Sequence, residues 1–359
     1  MSVGARALTH RSTSWGEWTW INSRSWDTRF LLASAALVAV PLALYHALGF
    51  SVTAVNVLVS ALVGGPHMYS TYTLTFMERR FWLRYPLLTI GAFAVPVVVV
   101  ALAIVNLTLL LTVFLAWASF HVLQQASFIG DCYRNRGPAE PSRWSRVIDY
   151  AVVFSSMYPL AVYRLVHDQF VIENRVLQIP WFIKYDALVY LAWGAFAVAL
   201  AFWVNKSVGE AREGRLNYTK TLFIALTIGA SFIIPAFNQL DVAFQGMNTW
   251  HSFQYLAIVW LLNRQRKERG EISSAAVNRL SGSENTLRFY VTLVGITALA
   301  GGLVLVLRLT TSLATEQCYY MVVLGSLLVH YYFDTFLFTR AGVVVRAQLA
   351  ERTSVWEWP

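Results

Sequence analysis

The 359-residue sequence predicts an all-α fold: a polytopic transmembrane bundle of about ten spanning helices with both termini cytoplasmic. Three observations lead there. The chain is 57% hydrophobic and only 13% charged, about half the charge of an ordinary soluble domain. Apolar runs of about twenty residues recur along it, each long enough to cross a ~30 Å hydrocarbon core as a helix, which satisfies its own backbone in lipid. If the runs alternate in direction, 24 of the 28 Lys and Arg fall on one side, and only Arg164, Arg175, Lys184 and Arg308 fall on the other. Such a bias places the basic side in the cytoplasm.

Residues 1–29 form a polar tail in which Trp15, Trp18, Trp20 and Trp26 suit the headgroup level, and no apolar core of a cleavable signal is expected there. The ten runs follow at 30–50, 54–74, 87–105, 107–130, 149–166, 186–204, 221–240, 245–262, 289–308 and 320–338, within a bundle spanning 30–339. The connections near 106 and 240 are short. The longest loops, 131–148 and 263–288, are polar and cytoplasmic, while the outer 167–185 loop holds enough aromatics to lie along the membrane or cover an entrance. Residues 340–359 end in "SVWEWP", a second interfacial segment. Cys132 and Cys318 fall at opposite faces and are expected to stay unpaired. The net charge of +9 follows from this orientation and calls for no nucleic acid. The expected location is a bacterial-type cytoplasmic membrane.

Seven histidines are present. His10 and His167 fall in solvated segments, and His46 falls at the outer end of the first run. The other four are His67, His121, His251 and His330. They precede the first following arginine by 12, 13, 13 and 10 residues, which sets them all about 15–20 Å from the cytoplasmic charge layer. Each has polar company one helical turn away: Ser70 and Thr71 after His67, Gln124 and Gln125 after His121, Gln254 and Tyr255 after His251, and Asp334 after His330. An intramembrane carboxylate is costly unless it is paired or binds a metal.

Four imidazoles at one depth with one carboxylate suit a transition-metal centre. The expected ligands are His67, His121, His251, His330 and Asp334. Thr71, Gln124, Gln125, Gln254 and Tyr255 are expected to hold the rings in place. Non-haem iron is the first choice, with copper, zinc or haem as alternatives. A redox metal on neutral imidazoles with an open position can activate O₂, and at that depth its substrate would come from the bilayer: an isoprenoid, carotenoid or acyl chain. Phe253 and Tyr255 are candidates to line such a pocket. An electron-donor protein is a further expected partner. Two other readings stay open: a proton- or ion-coupled transporter that uses the histidines as a path, and a cytochrome-b-like haem electron carrier. "GGP" before His67 predicts a kink or a close helix approach. No P-loop, dinucleotide fingerprint, Ser-His-Asp arrangement or CxxC pair is present.

The stretches "HVLQQASFIGDCYRNR" and "HSFQYLAIVWLLNRQR" share His-x-x-Gln with Arg at thirteen and fifteen residues after the histidine, and "HYYFDTFLF" adds a histidine and the carboxylate. On these motifs the chain resembles the histidine-rich multi-pass membrane oxygenases: the Brp/Blh type of carotenoid-cleaving enzyme and, more distantly, the alkane hydroxylase and fatty-acid desaturase type. The resemblance covers the four motif helices and the layout rather than a continuous alignment. It implies a membrane-bound metal oxygenase with a lipophilic substrate. The chain departs from the desaturase pattern in lacking HxxxH and HxxHH clusters, and it has too few histidines for that eight-ligand di-iron site.

Overall fold

The computed structural model describes residues 16–137, 142–172 and 175–339, and over them the chain is almost wholly helical. The helices are α1 (Arg24–His46), α2 (Val52–Thr73), α3 (Arg79–Arg84), α4 (Pro86–Val105), α5 (Leu107–Arg134), α6 (Arg143–Ser156) and α7 (Tyr158–Val166). After them come α8 (Asp186–Arg212), α9 (Tyr218–Ala236), α10 (Leu240–Glu268), α11 (Ala275–Leu280), α12 (Thr286–Thr310) and α13 (Thr315–Thr339). His10, Trp15 and the C-terminal "SVWEWP" lie outside the described residues.

Eight of these helices are long and apolar enough to cross a membrane: α1, α2, α4, α5, α8, α9, α12 and α13. The other two expected spans differ for physical reasons. The 149–166 run is two helices, broken at Met157. Pro159 has no N–H for the carbonyl four residues back. Just before the break, Ser155 and Ser156 donate to the carbonyls of Ala151 (2.6 Å) and Val153 (2.7 Å). The 245–262 run lies within one helix of 29 residues. Asn248, Thr249, His251, Ser252 and Gln254 make it too polar for a lipid-facing span, but α10 packs against α1 and α2 and is buried over most of its length. A helix enclosed by other helices can carry polar groups that lipid would not accept.

Burial sorts the helices into an interior and a wall. The apolar windows of α13 and α5 are 61% and 50% buried, whereas that of α12 is 6% buried. The helices α2, α5, α10 and α13, which carry the histidines of interest, are among the more buried, as is α9 at 50%. Between α4 and α5 the chain turns on one residue, Asn106, whose side chain accepts from the Leu109 N–H (3.0 Å) and so starts the next helix. Cys132 and Cys318 are both buried, and no disulfide joins them. The 167–185 segment contains a two-stranded ribbon (Val171–Ile172 with Arg175–Val176). Arg175 is tied to Glu316 at the start of α13 through two 2.9 Å bonds.

Candidate metal centre

The local structure of α2 brings His67 inward. After Val59 the helix widens into a π segment, Ser60–Gly64, and regains α geometry at Gly65. Pro66 cannot donate to the Leu62 carbonyl, and the Tyr290 hydroxyl of α12 takes that acceptor instead (2.6 Å). A side chain at Gly65 would place its Cβ 2.3 Å from Thr297, so only glycine permits α12 to come this near. The "GGP" sequence thus marks a close approach at an irregular turn. The same turn presents the Gly64 carbonyl to His67 Nδ1 (3.3 Å).

The four rings meet. Going round the cluster, the centroids of His67 and His330 are 4.3 Å apart, while His330–His121, His121–His251 and His251–His67 are each 4.9 Å apart. His67 and His121 face each other across it at 6.4 Å. One nitrogen from each ring can be chosen so that all four lie within 4.8 Å of one another. Four imidazoles bound tetrahedrally at ~2.0–2.1 Å to one ion would have nitrogens roughly 3.3–3.4 Å apart, so closing the widest pair by about 1.5 Å brings them onto a single metal. All four side chains are buried.

What these rings lack is as telling as where they sit. His67 Nε2, both nitrogens of His121, both nitrogens of His251, His330 Nε2 and Asp334 Oδ2 are buried without a hydrogen-bond partner. Leaving a buried polar atom unpaired costs about 1–3 kcal/mol. Six imidazole nitrogens and a carboxylate oxygen in one place therefore represent a large penalty, and a cation bound there, taking one nitrogen from each ring, would relieve most of it.

Asp334 Oδ2 lies 3.9 Å from His121 Nε2 and 3.6 Å from His330 Nδ1. Its other oxygen ends a hydrogen-bond chain. Thr71 Oγ1 is 2.5 Å from His330 Nδ1 and 2.7 Å from the Tyr255 hydroxyl, which is 2.7 Å from Asp334 Oδ1. With Asp334 ionised, Tyr255 donates to it, and Thr71 can donate to the Tyr255 hydroxyl (2.7 Å) or to Asp334 Oδ1 (3.3 Å); either choice leaves Thr71 to accept from His330. That donation from His330 Nδ1–H fixes the His330 tautomer and leaves Nε2 with its lone pair free. The Gly64 carbonyl does the same for His67, because a carbonyl accepts only from an N–H.

The three glutamines occupy other positions. Gln254 donates to the Leu31 carbonyl (2.9 Å), in the stretch where α1 passes from a π turn to a 3₁₀ turn. Gln125 donates to the His251 backbone carbonyl (3.1 Å), and Gln124 makes a long contact (3.5 Å) with the Thr335 carbonyl. All three tie helices together, and none has an imidazole nitrogen as its partner. Phe253 stacks on Phe30 (5.5 Å), and the exposed His46 packs on Tyr45 (4.8 Å).

Tyr331 was not singled out by the i+3/i+4 pattern, yet its ring lies on His121 with centroids 4.2 Å apart and 26° between planes. It is the immediate neighbour of His330, and its contact is made to a different helix. On the basic side of the cluster, Asn263 donates to Thr73 (2.7 Å). Nearby, Glu78 accepts from the backbone N–H and hydroxyl of Ser273 (3.0 and 2.7 Å) and lies 3.4 Å from Arg266. Comparison of the chain with protein-family models, with curated proteins and with solved structures found no match.

Proposed function

We propose that this is an integral-membrane, metal-dependent oxygenase that oxidises a lipophilic molecule at one transition-metal ion, with non-haem iron as the metal. The observation that carries the reading is the convergence of unpaired imidazole nitrogens from His67, His121, His251 and His330 beside the unpaired Oδ2 of Asp334. In this reading His67 and His330 bind through Nε2, since their Nδ1 atoms are engaged elsewhere. Asp334 supplies a fifth ligand or balances the charge of the ion. Neutral imidazoles favour iron, copper or zinc over hard cations such as magnesium, and iron adds the redox chemistry that O₂ requires.

Burial of the centre among apolar helices supports a substrate drawn from the bilayer, such as an isoprenoid, a carotenoid or an acyl chain. Oxidative cleavage of a double bond incorporates both atoms of O₂ and needs no outside electrons, whereas hydroxylation takes two electrons from a donor protein. Tight packing weighs against haem: rings at 4.3–4.9 Å leave no gap for a macrocycle. Clustering at one level weighs against a relay, which strings ionisable groups across several depths.

Elemental analysis of the purified protein, paired with its absorption spectrum, tests the reading. About one equivalent of iron without a Soret band is the expected result. Metal-free protein that still oxidises its substrate would remove the proposal, and a Soret band would replace it with a haem carrier.

A further inference from the structure

A second built feature lies outside the histidine cluster, on α6. Arg143, Arg146, Val147, Tyr150, Ala151 and Phe154 succeed one another at steps of three, one, three, one and three residues, so they form one continuous helical stripe. They line an open groove of about 540 Å³.

The head of the groove is basic and pre-arranged. Arg146 is held against Asp131 through Nε (3.2 Å) and Nη2 (2.7 Å), and the Tyr150 hydroxyl donates to the same carboxylate (2.8 Å). That leaves Arg146 Nη1 unengaged while its guanidinium is fixed in place. Arg143 makes no ion pair among the described residues. Behind them, among the described residues, Arg134, Arg146, Lys206 and Lys220 are joined to Asp131, Asp149 and Glu210 in one network. Within these seven residues the cations outnumber the carboxylates by one, and Arg143 stands beside them as a further cation. Trp144, between the two arginines, is 75% exposed, the placement of an aromatic at the headgroup level.

The rest of the groove is apolar. Val147, Ala151 and Phe154 run down it, and Phe154 closes on Phe120 of α5 (5.5 Å). From Arg143 to Phe154 the helix rises about 16 Å, close to half of the ~30 Å hydrocarbon core. A phosphate-sized basic head above an apolar run one leaflet deep matches one class of molecule.

We propose that this groove binds an anionic phospholipid of the leaflet on the basic side. The phosphate sits at Arg143 and Arg146 Nη1, and one acyl chain lies along Val147, Ala151 and Phe154. The site is separate from the metal centre and stands whether or not that centre holds iron.

Native mass spectrometry of delipidated protein in neutral detergent, titrated with phosphatidylglycerol or with phosphatidylcholine of the same chains, tests it. Phosphatidylglycerol should bind at least tenfold more tightly. Arg143→Gln should weaken it about fivefold, the effect of one basic residue at an anionic headgroup, with little change for phosphatidylcholine. Ala151→Trp, which fills the groove, should abolish the tight site. Both positions are exposed, and an unchanged circular dichroism spectrum will show that the variants are folded. Equal affinity for the two lipids overturns the proposal, as does phosphatidylglycerol binding unaltered in both variants. Displacement of the lipid by inorganic phosphate alone also overturns it, because the groove would then be a free-phosphate site.

Discussion

The Tyr255 hydroxyl lies 2.7 Å from Asp334 Oδ1 and 2.7 Å from Thr71 Oγ1, so one phenol links α10 to both α13 and α2. The Tyr255 ring also stands edge-on to His67 at 4.9 Å. A residue that orients a carboxylate, closes a hydrogen-bond chain to His330 and packs on a third helix has more influence on the cluster than its chemistry alone suggests. In Tyr255→Phe the ring packing survives while the chain is cut. The expected result is a folded protein whose metal affinity falls about 10–100-fold, the usual effect of losing a group that orients ligands, measured by competition with a chelator. Thr71→Val should act similarly. The double variant should lose less than the sum of the two, because both substitutions break one chain. Affinity equal to the parent in Tyr255→Phe would mean that Asp334 is held by something else.

Truncating a proposed ligand separates binding from folding. His251→Ala should lower metal content from about one equivalent to well under half, with membrane insertion and expression kept, since it also removes two unpaired buried nitrogens. His46→Ala, at an exposed position, should leave metal content unchanged. Plasma emission analysis of both variants decides this, and unchanged metal in His251→Ala would exclude that residue as a ligand.

Packing at α10 gives a prediction that does not depend on the metal. A Cβ at Gly246 would sit 2.4 Å from the Val38 backbone oxygen of α1, an atom that cannot swing aside. Gly246→Ala should therefore destabilise the protein by roughly 1–3 kcal/mol, seen as a lower thermal midpoint in detergent. Gly229→Ala on α9 meets nothing within 4 Å and should be neutral or slightly stabilising. Equal midpoints for the two variants would show that α1 and α10 are less closely apposed than described.

Metal removal should itself be a stability experiment. Stripping the ion exposes the penalty of the unpaired nitrogens, and a ligand present at a hundred times its dissociation constant adds about 2.7 kcal/mol. Chelation should lower the thermal midpoint, and re-addition of ferrous iron should restore it. A midpoint indifferent to both treatments would argue that the cluster takes no metal.

Much of this site could be read from residue spacing, and the reason is geometric. Depth in a membrane helix is a linear function of residue number, so counting from His67, His121, His251 and His330 to the next arginine puts them at one level. Thr71, Tyr255 and Asp334 lay at the one-turn spacing that marks a shared face, and they join one another at the cluster. The glutamines shared that spacing too, yet an amide bonds whichever backbone acceptor a neighbouring helix offers, and the neighbours are set by tertiary packing. For Gln254 that acceptor is Leu31, in the irregular part of α1. Tyr290 was invisible for the same reason: its partner is a carbonyl orphaned by Pro66, and no periodicity announces such a vacancy. The 245–262 run is expected from the sequence as a span, yet α10 lacks the apolarity of the eight candidate spans, and hydropathy records composition and says nothing of what encloses a helix.

The π segment at Ser60–Gly64 has a consequence for the chain on either side of it. Successive residues of an α-helix advance by about 100° around its axis, and a wider turn absorbs an extra residue without carrying that rotation forward. Val55 and Val59 can therefore pack against Val242, while the half beyond the widened turn aims its own inward side at a different neighbourhood. Deleting a single residue from 60–64 would regularise the helix and keep the two halves facing as they do, whereas deleting one from the regular stretch at 55–59 would swing one half against the other by roughly a quarter turn. An edit that leaves every ligand in the sequence would then turn His67 away from its three companions.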